Sequence, residues 1–212
     1  MLGLILNQIG RIKGVLEEKR AVRRWQKLEE LGMQIGKDVF LPMSTWIDDS
    51  YCFLISIGDR CAFGPNCAIL AHDATMNEIL DAGRIGRVII HESCKFGYGT
   101  VILPGVEIGP RVISVANSVI SRSIPPDSVV SGIPAKVIGS FKHYVAYHAM
   151  KMKTAPSFTY QEFGADVGDW FSAEKKNDMI RKLGKTCGYT TGGYRPALKS
   201  GRGSFSGKKS LT

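Results

Sequence analysis

The chain has 212 residues, enough for one domain with appendages, and 44% of them are hydrophobic, an ordinary share for a protein with a packed core. Its 28 Lys and Arg against 19 Asp and Glu give a formal charge of +9. That balance favours anionic partners, but no basic run is interleaved with stacking aromatics and no nucleic-acid motif occurs, so nucleic acid is not an expected partner. No apolar run reaches the ~18–20 residues of a membrane span. The apolar start Met1–Leu6 lacks the basic region and small-residue cleavage site of a secretory signal.

The first predicted element is a helix over residues 2–31, within an N-terminal segment 1–32. Leu2, Ile5, Leu6, Ile9, Ile12, Leu16, Trp25, Leu28 and Leu31 recur at helical spacing, Lys and Arg fill the opposite face, and Gly32 supplies a stop. Such a helix packs on the next part of the chain or on a neighbouring subunit. Being basic and amphipathic, it is also suited to lie on an anionic membrane surface.

From residue 33 the period changes to six. Ile35, Leu41 and Ile47 open the frame, Ser50–Tyr51–Cys52 break it, and Ile57, Phe63 and Ile69 resume it. After residues 71–87 it continues at Ile90, Phe96, Ile102, Ile108, Ser114 and Ile120. A small or branched residue stands four places after the frame position (Cys61, Cys67, Cys94, Thr100, Val112, Ser118), and glycine often comes directly after it (Gly58, Gly64, Gly97, Gly109). A sustained period of six fits neither a helix nor a long alternating strand. It specifies a solenoid in which three short strands make one triangular coil and each coil buries its core on the next. The fold class predicted is an all-β solenoid over 33–139, with an N-terminal helix and a C-terminal helical extension over 140–189. Residues 71–87 leave the frame and read as an extruded loop, the kind of segment that carries function.

Pro125–Pro126 and Gly132–Ile133–Pro134 are expected to end the solenoid. "FKHYVAYHAMKMK" and "SAEKKNDMIRKLG" read as helices, the second capped by Ser172 with Glu174 in its first turn. Residues 190–212 are rich in Gly, Ser, Lys and Arg and read as a basic disordered tail. The five cysteines are odd in number, have no zinc-site spacing, and in three cases occupy the small inward slot. A reducing, cytoplasmic setting is expected.

"IGDRCAFGPNCAILAHDAT", "VIIHESCKFGYGTVILPGVEIG" and "ANSVISRSIPPDSVVSGIPAKVIG" resemble the left-handed parallel β-helix acyltransferases that use acetyl-coenzyme A. The resemblance is to the bacterial capsular and lipopolysaccharide sugar O-acetyltransferases in particular, and it covers roughly residues 30–140. The left hand comes from this resemblance alone, since spacing does not give it. The resemblance further implies a homotrimer with active sites between subunits, acetyl-CoA as acyl donor, a sugar or glycan acceptor, and a cytoplasmic enzyme, placed at the inner face of the plasma membrane if the basic helix binds there.

His72 is the candidate catalytic residue. Acetyl transfer from a thioester to a hydroxyl needs a base to take the hydroxyl proton and return it to the leaving thiolate, and imidazole does both near neutral pH. By resemblance His72 matches the family's catalytic histidine; from its residue type alone, a structural histidine is the alternative. Asp73 is the next residue and on a strand points to the opposite face. Asp48, in "WIDD", resembles an acidic acceptor-binding residue of galactoside acetyltransferases, with a solvated corner carboxylate as the alternative. By resemblance the coenzyme arm runs past Tyr98, Ala116 and Ser121, while Arg122 and Lys136 suit its phosphates. Three departures from the family pattern are Lys95 in place of tryptophan, Tyr98 in place of a small residue, and Ser114–Val115 in place of Ile-Gly. His72 and His91 stand about one coil apart without a third solenoid histidine, so no metal is expected. N-acetylation of an amino-sugar nucleotide and a non-catalytic scaffold remain alternatives to O-acetylation.

Overall fold

The computed structural model describes residues 20, 22–159 and 172–192. These fall in two compact units, one over residues 22–144 and another holding 145–159 and 172–192. The predicted helix before residue 20 lies outside the described residues.

In the first unit, helix α1 (described over residues 22–30) ends as expected at Gly32, whose φ of +101° suits a residue without a Cβ. Met33 N donates to Leu28 O and Gly32 N to Glu29 O, the paired closing bonds of a Schellman turn. Trp25 and Leu28 are buried in the core that also holds Met33, Val39 and Leu41. Arg24 donates to Met43 O and Thr45 O, both at 2.8 Å. Trp25 and Leu28 of this helix therefore share a core with the first coil.

Three parallel sheets make the solenoid. The first runs β1 (Gln34–Ile35), β3 (Ile55–Ile57), β8 (Val88–Ile90), β11 (Glu107–Ile108); the second runs β2 (Trp46–Ile47), β5 (Ala68–Ile69), β10 (Val101–Ile102), β13 (Val119–Ile120). The third runs β4 (Ala62–Phe63), β9 (Lys95–Phe96), β12 (Ile113–Ser114), β14 (Ser128–Gly132), and adds β15 (Ala135–Ser140) antiparallel at its edge. The register turns the six-residue frame into ladders: Ile35, Ile57, Ile90 and Ile108 align on one face, and Ile47, Ile69, Ile102 and Ile120 on the next. The third ladder is Phe63, Phe96, Ser114 and Val130. Phe63 and Phe96 stack at 4.6 Å between ring centroids. The Ser114 hydroxyl, polar in an otherwise apolar column, is satisfied by the Thr100 hydroxyl at 2.9 Å.

The corners repeat at the same interval. Ser93, Gly99, Gly105, Arg111 and Asn117 all have φ between +55° and +82°, one left-handed residue every six. The glycine after a frame position has another role: it lies under the next coil. A Cβ on Gly97 would sit 2.5 Å from Ala116 N and 2.9 Å from Val115 C. These are backbone atoms held by the ladder, so Gly97→Ala should cost about 1–3 kcal/mol. A melting temperature lower by several degrees at unchanged circular dichroism is the expected result.

Cys52, Cys61, Cys67 and Cys94 are buried, and Cys187 is exposed. The Cys61, Cys67 and Cys94 thiols donate to carbonyls of the next coil at 3.1–3.2 Å. Burial pushes the Cys67 thiol above its ordinary value, and the neighbouring Cys61 thiol together with burial does so for Cys94. Thiolate is scarce where the pKa rises and reagent is excluded by burial. Titration of the folded protein with an aromatic disulfide at pH 7.5 should show one fast thiol per chain, and all five only after unfolding.

The loop at 71–87 is an ordered excursion: β6 (His72–Asp73) pairs antiparallel with β7 (Arg84–Ile85), and helix α2 (Asn77–Leu80) lies between them. Beyond β13 the solenoid passes Pro125–Pro126. Ile124 still bridges to Ile108, and β14 extends the third sheet. Gly132–Ile133–Pro134 is the turn that returns the chain as β15. The antiparallel return covers the edge that another parallel strand would otherwise extend.

Helix α3 (Phe141–Met152) comes next, its last residues belonging to the second unit. That unit also holds β16 (Ser157–Thr159), helix α4 (Ala173–Leu183) and β17 (Tyr189–Thr191). Ser172 caps α4, its hydroxyl accepting from Lys175 N at 3.3 Å. The extension expected to be helical thus contains a parallel strand pair as well, closed over the buried Phe158. Thr190 and Thr191 belong to β17 and not to the disordered tail expected from residue 190; residues 193–212 lie outside the described residues.

Candidate active site

Two breaks in the six-residue frame build the site. After β2 the chain continues through Asp48, whose N–H donates to Ile69 O at 3.1 Å, and then leaves the coil for a single 3-10 turn, Cys52–Leu54. One coil on, the chain leaves again after the buried Ala71 and begins the hairpin with His72. The hairpin is tied back by Gly86 N to Ala71 O and by the Arg84 guanidinium to Pro104 O, both at 2.9 Å.

These two excursions bring Asp48 and His72 together. His72 Nδ1 and Asp48 Oδ2 form a short hydrogen bond. The Asp48 side chain is 2% exposed and that of His72 33%. A carboxylate only accepts, so the shared proton belongs to Nδ1, and the Nε2 lone pair is left for another partner. The Tyr51 ring lies 4.9 Å from the imidazole, tilted 38°. The dyad thus joins a buried carboxyl group to an imidazole whose side chain is one-third exposed.

Asp48, the residue expected to contact the acceptor, is engaged with the imidazole through Oδ2. Asp73 turns into its own loop, where Thr75 N donates to its carboxylate at 3.0 Å and holds that carboxyl below the usual range. His91 pairs with Glu107 through Nε2 at 2.8 Å, and both are exposed. Among the described residues, no group of three or more His, Cys, Asp or Glu could hold a metal ion.

The candidate coenzyme residues separate into three places. Tyr98 and Ala116 stack on successive coils: Asn117 N donates to Tyr98 O at 2.7 Å, and the Tyr98 hydroxyl accepts from Asn66 Nδ2 at 2.7 Å. Ser121 and Arg122 come after β13 at another corner, the one from which the His72 hairpin leaves two coils earlier. Lys136 lies on β15, opposite Ser131 and partly exposed or more along its length. Arg122 and Lys136 are both exposed cations, chemistry that suits phosphate oxygens.

The sequence reading missed the dyad and Tyr51. The signal was the coil-to-coil offset: Ile47 pairs with Ile69, which sets Asp48 beside Leu70 and within two residues of His72.

No protein-family model matches the chain. Among curated proteins, YvoF of Bacillus subtilis (strain 168) is 31% identical over 117 residues, 55% of this chain and 66% of YvoF. Protein CapG of Staphylococcus aureus is 30% identical over 123 residues, 56% of this chain and 72% of CapG. The galactoside O-acetyltransferase of Escherichia coli (strain K12) is 29% identical over 119 residues, 53% of this chain and 58% of the enzyme. The chain thus spans about two thirds or less of the length of most curated relatives it matches. Among solved structures, a maltose O-acetyltransferase from Clostridium difficile 630 aligns over 66% of this chain and 88% of that chain, with 22% identity and a TM-score of 0.47. Among the described residues, no helix is long and apolar enough to cross a membrane.

Proposed function

The chain belongs to the hexapeptide-repeat acyltransferases, and from that premise we propose that it transfers an acetyl group from acetyl-coenzyme A to a hydroxyl of a sugar in a polysaccharide or glycan precursor. The observation that carries the reading is the His72–Asp48 dyad, with Nδ1 held by a buried carboxylate on an imidazole that is one-third exposed. The acceptor hydroxyl donates to Nε2. As its oxygen bonds to the thioester carbonyl carbon, the proton passes to the imidazole, and Asp48 stabilises the cation that forms. The C–S bond then breaks, the sulfur takes the proton from Nε2–H, and the products are the acetyl ester and the free coenzyme thiol. No protein-bound acyl intermediate is needed, because the reactants are held together and proximity supplies much of the rate.

Tyr98 and Ala116 would border the pantetheine arm, with Arg122 and Lys136 meeting phosphates. Because the Tyr98–Ala116 corner and the His72 corner are different corners of the triangular stack, a site completed by a second subunit of a homotrimer accounts for both sets. A sugar acceptor is supported by the named galactoside O-acetyltransferases among the relatives.

The test is release of free thiol from acetyl-coenzyme A with a panel of saccharides, each offered as hydroxyl and as matched amine. Hydroxyl-dependent release supports the reading. Preference for the amine moves the assignment to N-acetylation, and no release with any acceptor overturns it.

A further inference from the structure

The frame break at residues 48–54 does more than deliver Asp48. It leaves two aromatic rings outside the coil next to the imidazole. Tyr51 packs partly on the core and lies 4.9 Å from the His72 ring; Phe53 lies 6.1 Å from Tyr51, tilted 41°, and is 56% exposed. Phe53 is held close to the end of α1: a Cβ on Gly32 would come within 2.9 Å of Phe53 Cβ. A phenylalanine more than half exposed is ordinary when it stands alone, but here it continues a ring surface that begins at the imidazole.

We propose that Tyr51 and Phe53 form the platform on which the acceptor's pyranose ring lies, with Phe53 as the residue that selects a cyclic sugar over an acyclic hydroxyl compound. The inference rests on the acetyl-transfer reading above and specifies its acceptor subsite. A pyranose presents a face of C–H groups with slight positive charge, and an aromatic face carries the negative lobe of its quadrupole. A sugar lying on Tyr51 and Phe53 sets a ring hydroxyl at its rim toward His72 Nε2. An acyclic polyol presents no such rigid C–H face and gains little from the rings. The neighbouring hairpin does not supply the platform, because its exposed side chains Met76, Ile79, Leu80 and Ile85 are aliphatic.

The experiment compares wild type with Phe53→Ala, Tyr51→Leu and Tyr51→Phe in steady-state thiol release, using a pyranoside acceptor and glycerol in parallel. For Phe53→Ala the expected result is a pyranoside KM raised roughly five- to tenfold at nearly unchanged kcat, with kcat/KM for glycerol and KM for acetyl-coenzyme A unaltered. Tyr51→Leu should act in the same direction, and Tyr51→Phe should restore the pyranoside KM, since the ring and not the hydroxyl does the binding. An equal fall for both acceptors, or an unchanged pyranoside KM, overturns the platform while leaving the transfer reading intact. So does a changed mass in solution with unchanged selectivity, which would make Phe53 a contact between copies of the chain. Wild type inactive with every saccharide overturns the transfer reading itself, and the platform with it.

Discussion

Replacing His72 by alanine is expected to lower acceptor-dependent thiol release by about 10²–10⁴-fold, the contribution of a well-placed general base. Neither adjacent carboxyl group is placed to take over the task. Asp73 is turned into the Thr75 turn, and Asp48 is buried behind the imidazole with its carboxylate aimed at Nδ1. Alanine also leaves the Asp48 carboxylate without its hydrogen-bond donor, a change that destabilises a buried anion. His72→Gln separates the two effects, because its side-chain amide can still donate to Asp48 while offering no basic nitrogen. The expected outcome is that both variants lose activity and only the alanine variant melts earlier. Affinity for acetyl-coenzyme A, read by calorimetry, should stay within about twofold of wild type. Retained turnover in the glutamine variant would remove His72 from the chemistry.

Asp48→Asn is expected to cost nearly as much, on the order of 10²–10⁴-fold in kcat, with little change in KM for either substrate. The substitution keeps the shape and removes the charge. An amide that donates to Nδ1 forces the imidazole proton onto Nε2, the nitrogen that receives the acceptor's proton in the proposed transfer. It also withdraws the charge that, in the proposed transfer, stabilises the imidazolium. The result discriminates between two roles for this carboxylate. If Asp48 chiefly held the acceptor, the loss would appear in acceptor KM, with kcat at saturation largely kept.

The core of the solenoid is legible in the sequence because one physical rule generates it. The inward position recurs every six residues, and stacking coils makes the same positions ladder partners, so spacing alone places Ile90, Ile102 and Ile108. The end of the solenoid is less legible. Pro125 and Pro126 break helices and central strands, but here they occupy a corner, where neither proline needs an N–H bond. Gly132–Ile133–Pro134 has the composition of a terminus and is a hairpin turn, because spacing says nothing about whether the next strand runs parallel or back. The dyad is half legible: His72 stands out for its chemistry, whereas Asp48 is separated from it by 24 positions. Both residues lie where the frame breaks, and a broken frame removes the very rule that assigns neighbours. Tyr51 is hidden for the same reason.

The spacing of the left-handed corners also governs which changes of gene length this chain can absorb. Between the strand of Ile90 and that of its ladder partner Ile108 lie two strands and three corners, one full coil. Loss of one codon there would turn every later inward side chain outward and move each left-handed corner onto a residue unsuited to it. Inherited insertions and deletions should therefore be purged within coils, and persist as whole coils or as excursions at a corner. The hairpin that begins with His72 is an excursion of that kind. The coils before and after it keep their register across the added length, as the pairing of Ile57 with Ile90 records. A scaffold with this property can acquire a new surface loop by a single genetic event without refashioning its core, and the imidazole of His72 stands at the first residue of such an addition.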